Sequence, residues 1–162
     1  MPTQIHAVVI TSSDACAAGE RADISGQTLV QLLTELSAEI IAKEIVNDDL
    51  EPLADKLRAY SDRADVNLIM TTGGTGFGPR DNTPEATRKV IEREAPGLAE
   101  AMRIQTLKNT PMAMISRGVC GIRSGTLIVN LPGSPKAVRE SFDVIRPVLT
   151  HAVALLEGNT AH

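Results

Sequence analysis

The chain has 162 residues, of which 43% are hydrophobic and 22% are charged, and its formal net charge is −4 at pH 7. This composition is typical of one globular domain with a real core, and the acidic balance argues against a nucleic-acid-binding protein. Aromatic residues make up only 2% of the chain, which also disfavours a protein that stacks single-stranded bases on aromatic side chains.

The first half of the chain alternates apolar runs with segments that have apolar residues at helical spacing, which predicts strands and helices in turn. A polar stretch, Ser12–Ser25, follows the first strand and is expected to be a long loop. Asn47, Asp48 and Asp49 stand where they can cap a helix. The predicted strands are Ile5–Thr11, Glu39–Val46 and Val66–Thr71, and the predicted helices are Gly26–Leu36 and Leu50–Ser61.

The second half continues this pattern after a glycine-rich loop. Thr83 is a predicted N-cap, with Pro84 at the first helical position and Glu85 in the first turn. The further predicted strands are Met112–Ser116 and Thr126–Leu131, joined through RGVCGIRSG, and the further helices are Leu98–Leu107, Ala137–Ile145 and Pro147–Leu156.

Strands that alternate with helices predict an α/β fold in which a mostly parallel sheet carries helices on both faces. In open sheets of this kind, ligands bind beyond the carboxyl ends of the strands. Four polar loops follow predicted strands, and we expect them to converge on one edge of the sheet. These loops are Ser12–Ser25, Asn47–Asp49, Gly73–Thr83 and Pro132–Lys136.

The cysteines and the N-terminal sequence bear on the compartment. Cys16 and Cys120 lack the spacing of a zinc site, and we expect two reduced thiols rather than a disulfide. The segment MPTQIHAVVIT does not have the pattern of a signal peptide, and no apolar run is long enough for a membrane span. We therefore expect a cytoplasmic protein that forms a single domain over residues 1–162.

The glycine-rich loop lies within TTGGTGFGPRDNTPEAT and contains four glycines in six residues. Glycine permits positive φ angles and a close approach of backbone to a ligand, and successive N–H groups form an anion-binding nest. Gly73 and Gly78 have the spacing of a P-loop, but Pro79 and Arg80 follow where that motif needs Lys and Ser or Thr. We favour a phosphate-binding loop of another design over a tight turn. Phe77 within the loop either caps the core or covers a ligand.

Two acidic residues on the predicted edge are candidate metal ligands. Asp81 at the exit of the glycine-rich loop and Asp48 after the neighbouring strand could hold Mg²⁺, which takes one or two carboxylates plus substrate phosphates. Spacing leaves two alternatives open: Asp48 as a helix N-cap, and Asp81 as the ion-pair partner of Arg80. Asp14 is a third and weaker acidic candidate on the same edge.

The segment LPGSPKAV is a second candidate anion site. Gly133 turns the chain, Ser134 caps a helix and Lys136 stands in its first turn, and a helix N-terminus favours a phosphate. An ordinary capped helix is the alternative. Ser116-Arg117 and Arg123 either add hydrogen-bond donors nearby or are solvated charges. No serine or cysteine has a recognisable histidine partner, so the sequence predicts no activated nucleophile.

Three stretches of the chain resemble the molybdopterin adenylyltransferases, which include bacterial enzymes, a plant domain and the N-terminal domain of gephyrin. They are ITSSDACAAGERADISG, TTGGTGFGPRDNTPEAT and SRGVCGIRSGTLIVNLPGSPKAV, and the resemblance spans nearly the whole chain. It implies a three-layer α/β/α domain of the molybdopterin-binding type, usually trimeric. In this family the phosphate of molybdopterin attacks the α-phosphorus of Mg-ATP, and pyrophosphate leaves.

The resemblance also implies which residues act. The family's acidic pair, expected to be catalytic and to bind Mg²⁺, matches Asp48 and Asp81. The sequence NDD departs from the usual Pro-Asp-acid pattern, so Asp49 could share or take the role of Asp48. Asn82 stands at a commonly apolar position and is not expected to touch the chemistry. The expected substrate- and nucleotide-binding residues are Ser12, Asp14, Thr72, Gly73, Gly74, Thr75, Gly76, Arg80, Ser116, Arg117, Asn130, Pro132, Gly133, Ser134 and Lys136.

The implied ligands are molybdopterin and ATP with Mg²⁺, and the implied assembly is a homotrimer with the molybdenum-insertion enzyme as a candidate partner. Neither nucleic acid nor a membrane is an expected partner. A phosphate oxygen is already an ionised nucleophile, so the reaction needs alignment and charge neutralisation rather than a general base. Two alternatives stay open: a non-catalytic molybdopterin-binding or scaffold protein, and a paralogue acting on another pterin or nucleotide.

Overall fold

The computed structural model describes residues 2–160, and Met1, Ala161 and His162 of the predicted domain lie outside the described residues. A 3₁₀ helix covers Pro111–Ile115. Strands β1 to β6 are His6–Ser12, Glu39–Val46, Leu68–Thr72, Arg93–Glu94, Cys120–Arg123 and Thr126–Leu131. Helices α1 to α6 are Asp14–Ala17, Ile24–Glu35, Leu50–Ser61, Thr83–Val90, Pro96–Thr106 and Pro135–Leu156.

The strands of the described chain form one sheet in the order β2-β1-β3-β6-β5-β4. The first four strands in this order are parallel, whereas β5 is antiparallel to β6 and β4 is antiparallel to β5. In the register, Val9 of β1 lies opposite Met70 of β3, and Met70 lies opposite Val129 of β6. The predicted mostly parallel sheet is therefore confirmed.

The two faces of the sheet carry separate apolar cores because successive side chains of a strand point in opposite directions. Val9, Met70 and Val129 pack with residues of α2, α5 and α6 on one face. Val8 and Ile69, together with Ile128, pack with residues of α3 and α4 on the other face. Helices cover both faces, so the predicted three-layer α/β/α architecture is confirmed.

The C-terminal helix differs from the prediction of two helices meeting at Pro147. It is one helix, Pro135–Leu156, with Pro147 inside it. Proline removes one backbone hydrogen bond and normally ends or kinks a helix. Buried apolar side chains lie on both sides of Pro147, at Ile145 and Leu149, and their packing on the sheet holds the helix together across the missing bond.

The prediction of a strand at Met112–Ser116 is wrong. This segment is the 3₁₀ helix, which begins after Thr110, whose hydroxyl oxygen accepts the N–H of Met112 at 3.2 Å. No strand pairs with it in the described chain, and Met112 and Met114 are 62% and 66% exposed. The apolar run therefore reflects a surface feature rather than a buried strand.

The connection RGVCGIRSG contains the unpredicted strand β5, which forms a hairpin with β6. The turn residues Ser124 and Gly125 both have positive φ, 49° and 80°, as a two-residue type I′ turn requires. The two-residue strand β4 at Arg93–Glu94 was also not predicted, because its side chains are exposed and carry no apolar pattern.

The predicted long loop Ser12–Ser25 contains α1, Asp14–Ala17, and the start of α2 at Ile24. Asn82, rather than Thr83, is the N-cap of α4. Cys16 and Cys120 are free thiols, as expected, and burial raises the pKa of Cys120 to about 12. Among residues 2–160, no helix has both the length and the apolar composition needed to cross a bilayer.

Candidate functional site

A cleft of about 640 Å³ lies at the carboxyl ends of the central parallel strands. All four loops that the sequence predicted to converge there contribute to its walls. The lining residues are Thr11, Ser12, Ser13, Cys16, Arg21, Ala22, Asp23, Ile24, Ser25, Asp48, Thr72, Gly73, Gly74, Asp81, Gly133, Ser134 and Pro135.

The first wall of the cleft is the glycine-rich loop. Gly73 and Gly74 have positive φ angles of 91° and 68°. A Cβ on Gly73 would lie 2.4 Å from the carbonyl oxygen of Ser12, and a Cβ on Gly74 would lie 2.4 Å from Oγ1 of Thr83. Both positions therefore require glycine, because a side chain would have neither an allowed backbone conformation nor space.

The later glycines of the loop make room for a carboxylate. A Cβ on Gly76 or on Gly78 would lie 2.9 Å from Oδ2 of Asp81. The N–H of Gly78 donates to this same oxygen at 2.8 Å. Arg117 stabilises the loop, since its guanidinium donates to the carbonyl oxygens of Gly76 and Asp81 at 2.7 and 2.8 Å. The loop thus presents the carboxylate of Asp81 to the cleft.

Arg80 does not pair with Asp81. Its guanidinium binds Asp14 at 2.6 and 3.0 Å and Asp49 at 2.9 Å, so the ion-pair alternative for Asp81 is wrong. The hydrogen bonds from Arg80 are the largest cause of a lowered pKa of Asp14, which falls from an ordinary 3.8 to about 2. Asp14 therefore stays ionised at neutral pH, beside Asp48 but outside the lining of the cleft.

Asp48 lines the same cleft as Asp81. Its Oδ1 accepts the hydroxyl of Ser12 at 2.8 Å, and its Oδ2 accepts the N–H of Asp14 at 3.0 Å. Asp48 is not a helix cap, because Asp49 holds the N-cap position of α3 and makes no side-chain cap bond there. Asp49 instead binds Arg80 and does not line the cleft, which favours Asp48 as the carboxylate of the site.

The two carboxylates fit a magnesium ion better than a metal bound by protein groups alone. Within residues 2–160, no three His, Cys, Asp or Glu side chains form a metal-binding group. Magnesium needs only one or two carboxylates and completes its shell with phosphates and water. Oδ1 of Asp81 accepts no hydrogen bond within the described residues and is available to a cation.

The segment LPGSPKAV forms a second wall of the cleft, directly beside the start of the glycine-rich loop. Oγ1 of Thr72 donates to the carbonyl oxygen of Pro132 at 2.6 Å. Gly133 lies so close to Gly73 that a Cβ added to Gly133 would be 3.4 Å from the Cα of Gly73. Ser134 caps α6 by accepting the N–H of Ala137 at 3.2 Å. The N-terminus of α6 therefore borders the cleft and offers a place for an anion.

Asp23, a buried carboxylate in the wall of the cleft, was not among the predicted site residues. Its Oδ2 accepts the hydroxyl of Thr11 at 2.7 Å and the ammonium of Lys43 at 2.9 Å, and its Oδ1 accepts the N–H of Gly26 at 2.9 Å. Burial alone would raise the pKa of Asp23, but these hydrogen bonds outweigh it and lower the pKa. The spacing of Asp23 before a helical segment was the available signal, since this residue caps α2.

A smaller apolar hollow of about 260 Å³ lies beside the cleft and shares Gly133 and Ser134 with it. Ser116, Asn130 and Pro132 line this hollow. The side chain of Asn130 is 2% exposed and bonded to the framework: its amide donates to Thr71 and Thr87 and its oxygen accepts an N–H. Asn130 thus joins β3, α4 and β6, and its predicted role in binding stays a prediction.

The predicted binding residues fall into three groups, and their binding roles stay predictions. Those that line the cleft are Ser12, Thr72, Gly73, Gly74, Gly133 and Ser134, with Asp48 and Asp81. Those in the neighbouring hollow are Ser116, Asn130 and Pro132, together with Gly133 and Ser134 again. Those outside both are Asp14, Thr75, Gly76, Arg80, Arg117 and Lys136.

Phe77 does not cap the core, because its side chain is 71% exposed at the tip of the glycine-rich loop. Lys136 is also exposed, and within the described residues no carboxylate pairs with it. Arg123 serves the opposite end of the molecule, where it binds Asp62 at 3.0 Å. Of these three residues, only Phe77 and Lys136 stand on the segments that form the cleft.

Comparisons with known proteins agree with this fold. A family model described as "Probable molybdopterin binding domain" matches residues 8–151. Molybdopterin adenylyltransferase of Helicobacter pylori (strain J99) is 40% identical over 157 residues, which cover 96% of this chain and 89% of the relative. The molybdenum cofactor synthesis protein cinnamon of Drosophila melanogaster is 46% identical over 149 residues, which cover 91% of this chain but 25% of that protein. The crystal structure of the molybdopterin biosynthesis enzyme MoaB from Thermus thermophilus matches with a TM-score of 0.90 and 47% identity, covering 96% of this chain and 98% of that one.

Proposed function

Because the chain belongs to the molybdopterin-binding domain family, we propose that it is a molybdopterin adenylyltransferase of molybdenum cofactor biosynthesis. The proposed reaction joins the phosphate of molybdopterin to the α-phosphorus of ATP and releases pyrophosphate. The observation that carries the proposal is that Asp48 and Asp81 line one cleft together with the glycine-rich loop and the N-terminus of α6. Curated relatives named for this activity, such as that of Helicobacter pylori, support it.

The two walls of the cleft would bind the phosphates. Gly74 brings backbone to one wall, whereas the N–H of the neighbouring Gly73 is already bonded to the carbonyl oxygen of Leu131; Ser134 and the N-terminus of α6 stand at the other wall. Backbone N–H groups in a nest and at a helix N-terminus favour phosphate without a side-chain charge. Lys136, in the first turn of α6, would add one positive charge.

Asp48 and Asp81 would hold Mg²⁺, which would neutralise charge on the ATP phosphates and on the departing pyrophosphate. Ser12 and the N–H of Asp14 orient the carboxylate of Asp48, and the N–H of Gly78 orients that of Asp81. These residues would align the phosphates and, through Mg²⁺, neutralise their charge. They need not accept a proton, because the attacking phosphate oxygen is already ionised.

The direct test is to incubate the protein with ATP, MgCl₂ and molybdopterin and to measure pyrophosphate and adenylylated product. We expect equal amounts of both and a large loss of both in Asp48→Asn. Asp62→Asn is the matched control, because this carboxylate pairs with Arg123 far from the cleft and should leave turnover unchanged. Tight molybdopterin binding without pyrophosphate would favour the scaffold alternative, and pyrophosphate release only with another pterin would favour the paralogue.

The proposal extends to assembly and context. We propose a homotrimer, as the resemblance to the molybdopterin adenylyltransferases implies. The exposed apolar side chains on α5 and the 3₁₀ helix, where Ile104, Met112 and Met114 are 61%, 62% and 66% exposed, would form part of its interface. The molybdenum-insertion enzyme is the proposed recipient of the product. A single domain over residues 1–162 and a cytoplasmic location, expected from the sequence, belong to the same proposal.

A further inference from the structure

Asn82 holds the N-cap position of α4 but does not cap the helix. Asparagine is among the best N-cap residues because its side-chain oxygen can accept a free N–H of the first turn. Here the side chain makes no such bond. Its Nδ2 instead donates to the carbonyl oxygen of Asp48 at 2.8 Å, a contact between residues 34 positions apart in the chain. The side chain of Asn82 thus makes a long-range hydrogen bond to Asp48 instead of the local capping bond.

This bond joins the exit of the glycine-rich loop to the turn after β2, next to the two carboxylates of the proposed metal site. Asn82 directly follows Asp81, and its acceptor is the backbone of Asp48 itself. On the other side of Asp81, Arg80 binds Asp49 at 2.9 Å and Asp14 at 2.6 Å. Asp81 is therefore flanked by two residues that each bind the turn carrying Asp48.

The glycine-rich loop needs such ties. Phe77, Gly78, Pro79 and Arg80 are all exposed, so little packing holds this part of the chain. Glycine adds conformational freedom that packing would otherwise have to remove. A cation bound by carboxylates from two separate loops is sensitive to their separation, because magnesium accepts only a narrow range of metal–oxygen distances.

We propose that Asn82 is a positioning residue that, with Arg80 as its companion, fixes the separation of Asp48 and Asp81 and so sets the affinity for a divalent cation. The inference rests on the proposed function, which makes these two carboxylates the metal ligands. Asn82 itself touches neither cation nor substrate. Its effect reaches the site through one backbone hydrogen bond to Asp48.

The test is a titration with Mn²⁺ alone, a paramagnetic substitute for Mg²⁺, in which electron paramagnetic resonance counts the free ion. Asn82→Ser keeps a good N-cap residue but is too short to reach Asp48. We expect it to weaken Mn²⁺ binding about five-fold, the factor expected for the loss of one ordinary hydrogen bond. The melting temperature without metal should stay close to that of the parent protein, since serine can cap α4.

A kinetic measurement separates positioning from general damage. Asn82→Ser should raise the Mg²⁺ concentration that gives half-maximal adenylylation by about the same five-fold factor, while the rate at saturating Mg²⁺ stays within about two-fold of the parent. Asn82→Gln keeps the amide and should recover part of the Mn²⁺ affinity. Asp62→Asn, at the pair with Arg123, should bind Mn²⁺ like the parent.

The outcomes distinguish this inference from the proposed function. If the parent protein binds Mn²⁺ and Asp81→Asn does not, but Asn82→Ser binds as tightly as the parent, the positioning role is wrong and the metal site stands. If the parent protein binds no Mn²⁺ without ATP, and Asn82→Ser leaves the Mg²⁺ concentration for half-maximal adenylylation unchanged, the positioning role is wrong. A lower saturating rate with unchanged Mn²⁺ affinity in Asn82→Ser would also overturn the positioning role.

Discussion

Asp81→Asn separates a metal-binding role from a structural one. The carboxylate of Asp81 receives one hydrogen bond, from the N–H of Gly78 at 2.8 Å, and forms no ion pair with its neighbour Arg80. An asparagine oxygen can still accept this N–H, and Arg117 binds the backbone carbonyl of Asp81, which the substitution leaves in place. Only the charge is removed.

The magnitudes differ enough to decide between the two roles. Loss or weakening of one exposed hydrogen bond costs about 1 kcal/mol or less of unfolding free energy. For a domain of this size that corresponds to a fall in melting temperature of at most about 2–4 °C. Removing one electrostatic contact to the transition state typically lowers turnover about 100-fold or more. We therefore expect a nearly unchanged melting temperature and turnover reduced at least 100-fold.

The assay is adenylylation of molybdopterin per folded molecule, with scanning calorimetry on the same samples. Binding of molybdopterin in the absence of ATP and metal should be unchanged, because the pterin is not expected to depend on the cation. Turnover within about three-fold of the parent, together with a clearly lower melting point, would refute the metal role and make Asp81 a structural residue.

Three further predictions concern the framework. Gly73→Ala should lower the unfolding free energy by roughly 2 kcal/mol, because φ at this position is 91° and the new Cβ would lie 2.4 Å from the carbonyl oxygen of Ser12. Urea unfolding measures this change. Gly97→Ala is the control that should not destabilise the protein, since a Cβ there meets nothing within 4 Å. Hydrogen bonds, first those from Arg80 and then those with Asp48, lower the pKa of Asp14 from 3.8 to about 2, so its contribution to stability is present above pH 3.8 and is lost as the pH falls through about 2. The difference in melting temperature between the parent and Asp14→Asn should shrink over that range. Light scattering should give three times the 17.2 kDa chain mass for the parent and a smaller mass for Met114→Glu, and a parent that stays monomeric at micromolar concentration contradicts the trimer.

The central strands were predictable because a strand that is buried on both faces must consist mostly of apolar residues. Strands of a parallel sheet that are covered on both faces are continuous apolar runs, as in β3, where all five residues are buried. The position of the site followed from the same fold, since loops after parallel strands meet at one edge. Gly73 and Gly74 were recognisable because glycine is the residue for positive φ.

The remaining features depend on contacts that local sequence does not contain. Arg80 stands next to Asp81 in the chain but binds Asp14, 66 positions away. Pro147 would end an isolated helix, yet α6 continues because the sheet packs against it on both sides of the proline. The run Met112–Ser116 is apolar like a strand, but Pro111 and the capping hydroxyl of Thr110 begin a 3₁₀ helix instead.

The strand order β2-β1-β3-β6 also determines when during folding the cleft can exist. Its walls are joined by contacts such as that of Thr72 with Pro132, which closes a loop of 60 residues, and that of Ser12 with Asp48, which closes one of 36. The chain must lose loop-closure entropy before contacts between such distant residues add any stability, so these contacts form late and slowly. During synthesis, a nascent chain that ends before Thr126 has Asp48 and Asp81 but not β6, the strand that carries the second wall. The cleft can therefore form only after β6 and the start of α6 have left the ribosome, and recovery of ligand binding during refolding would report completion of the parallel part of the sheet.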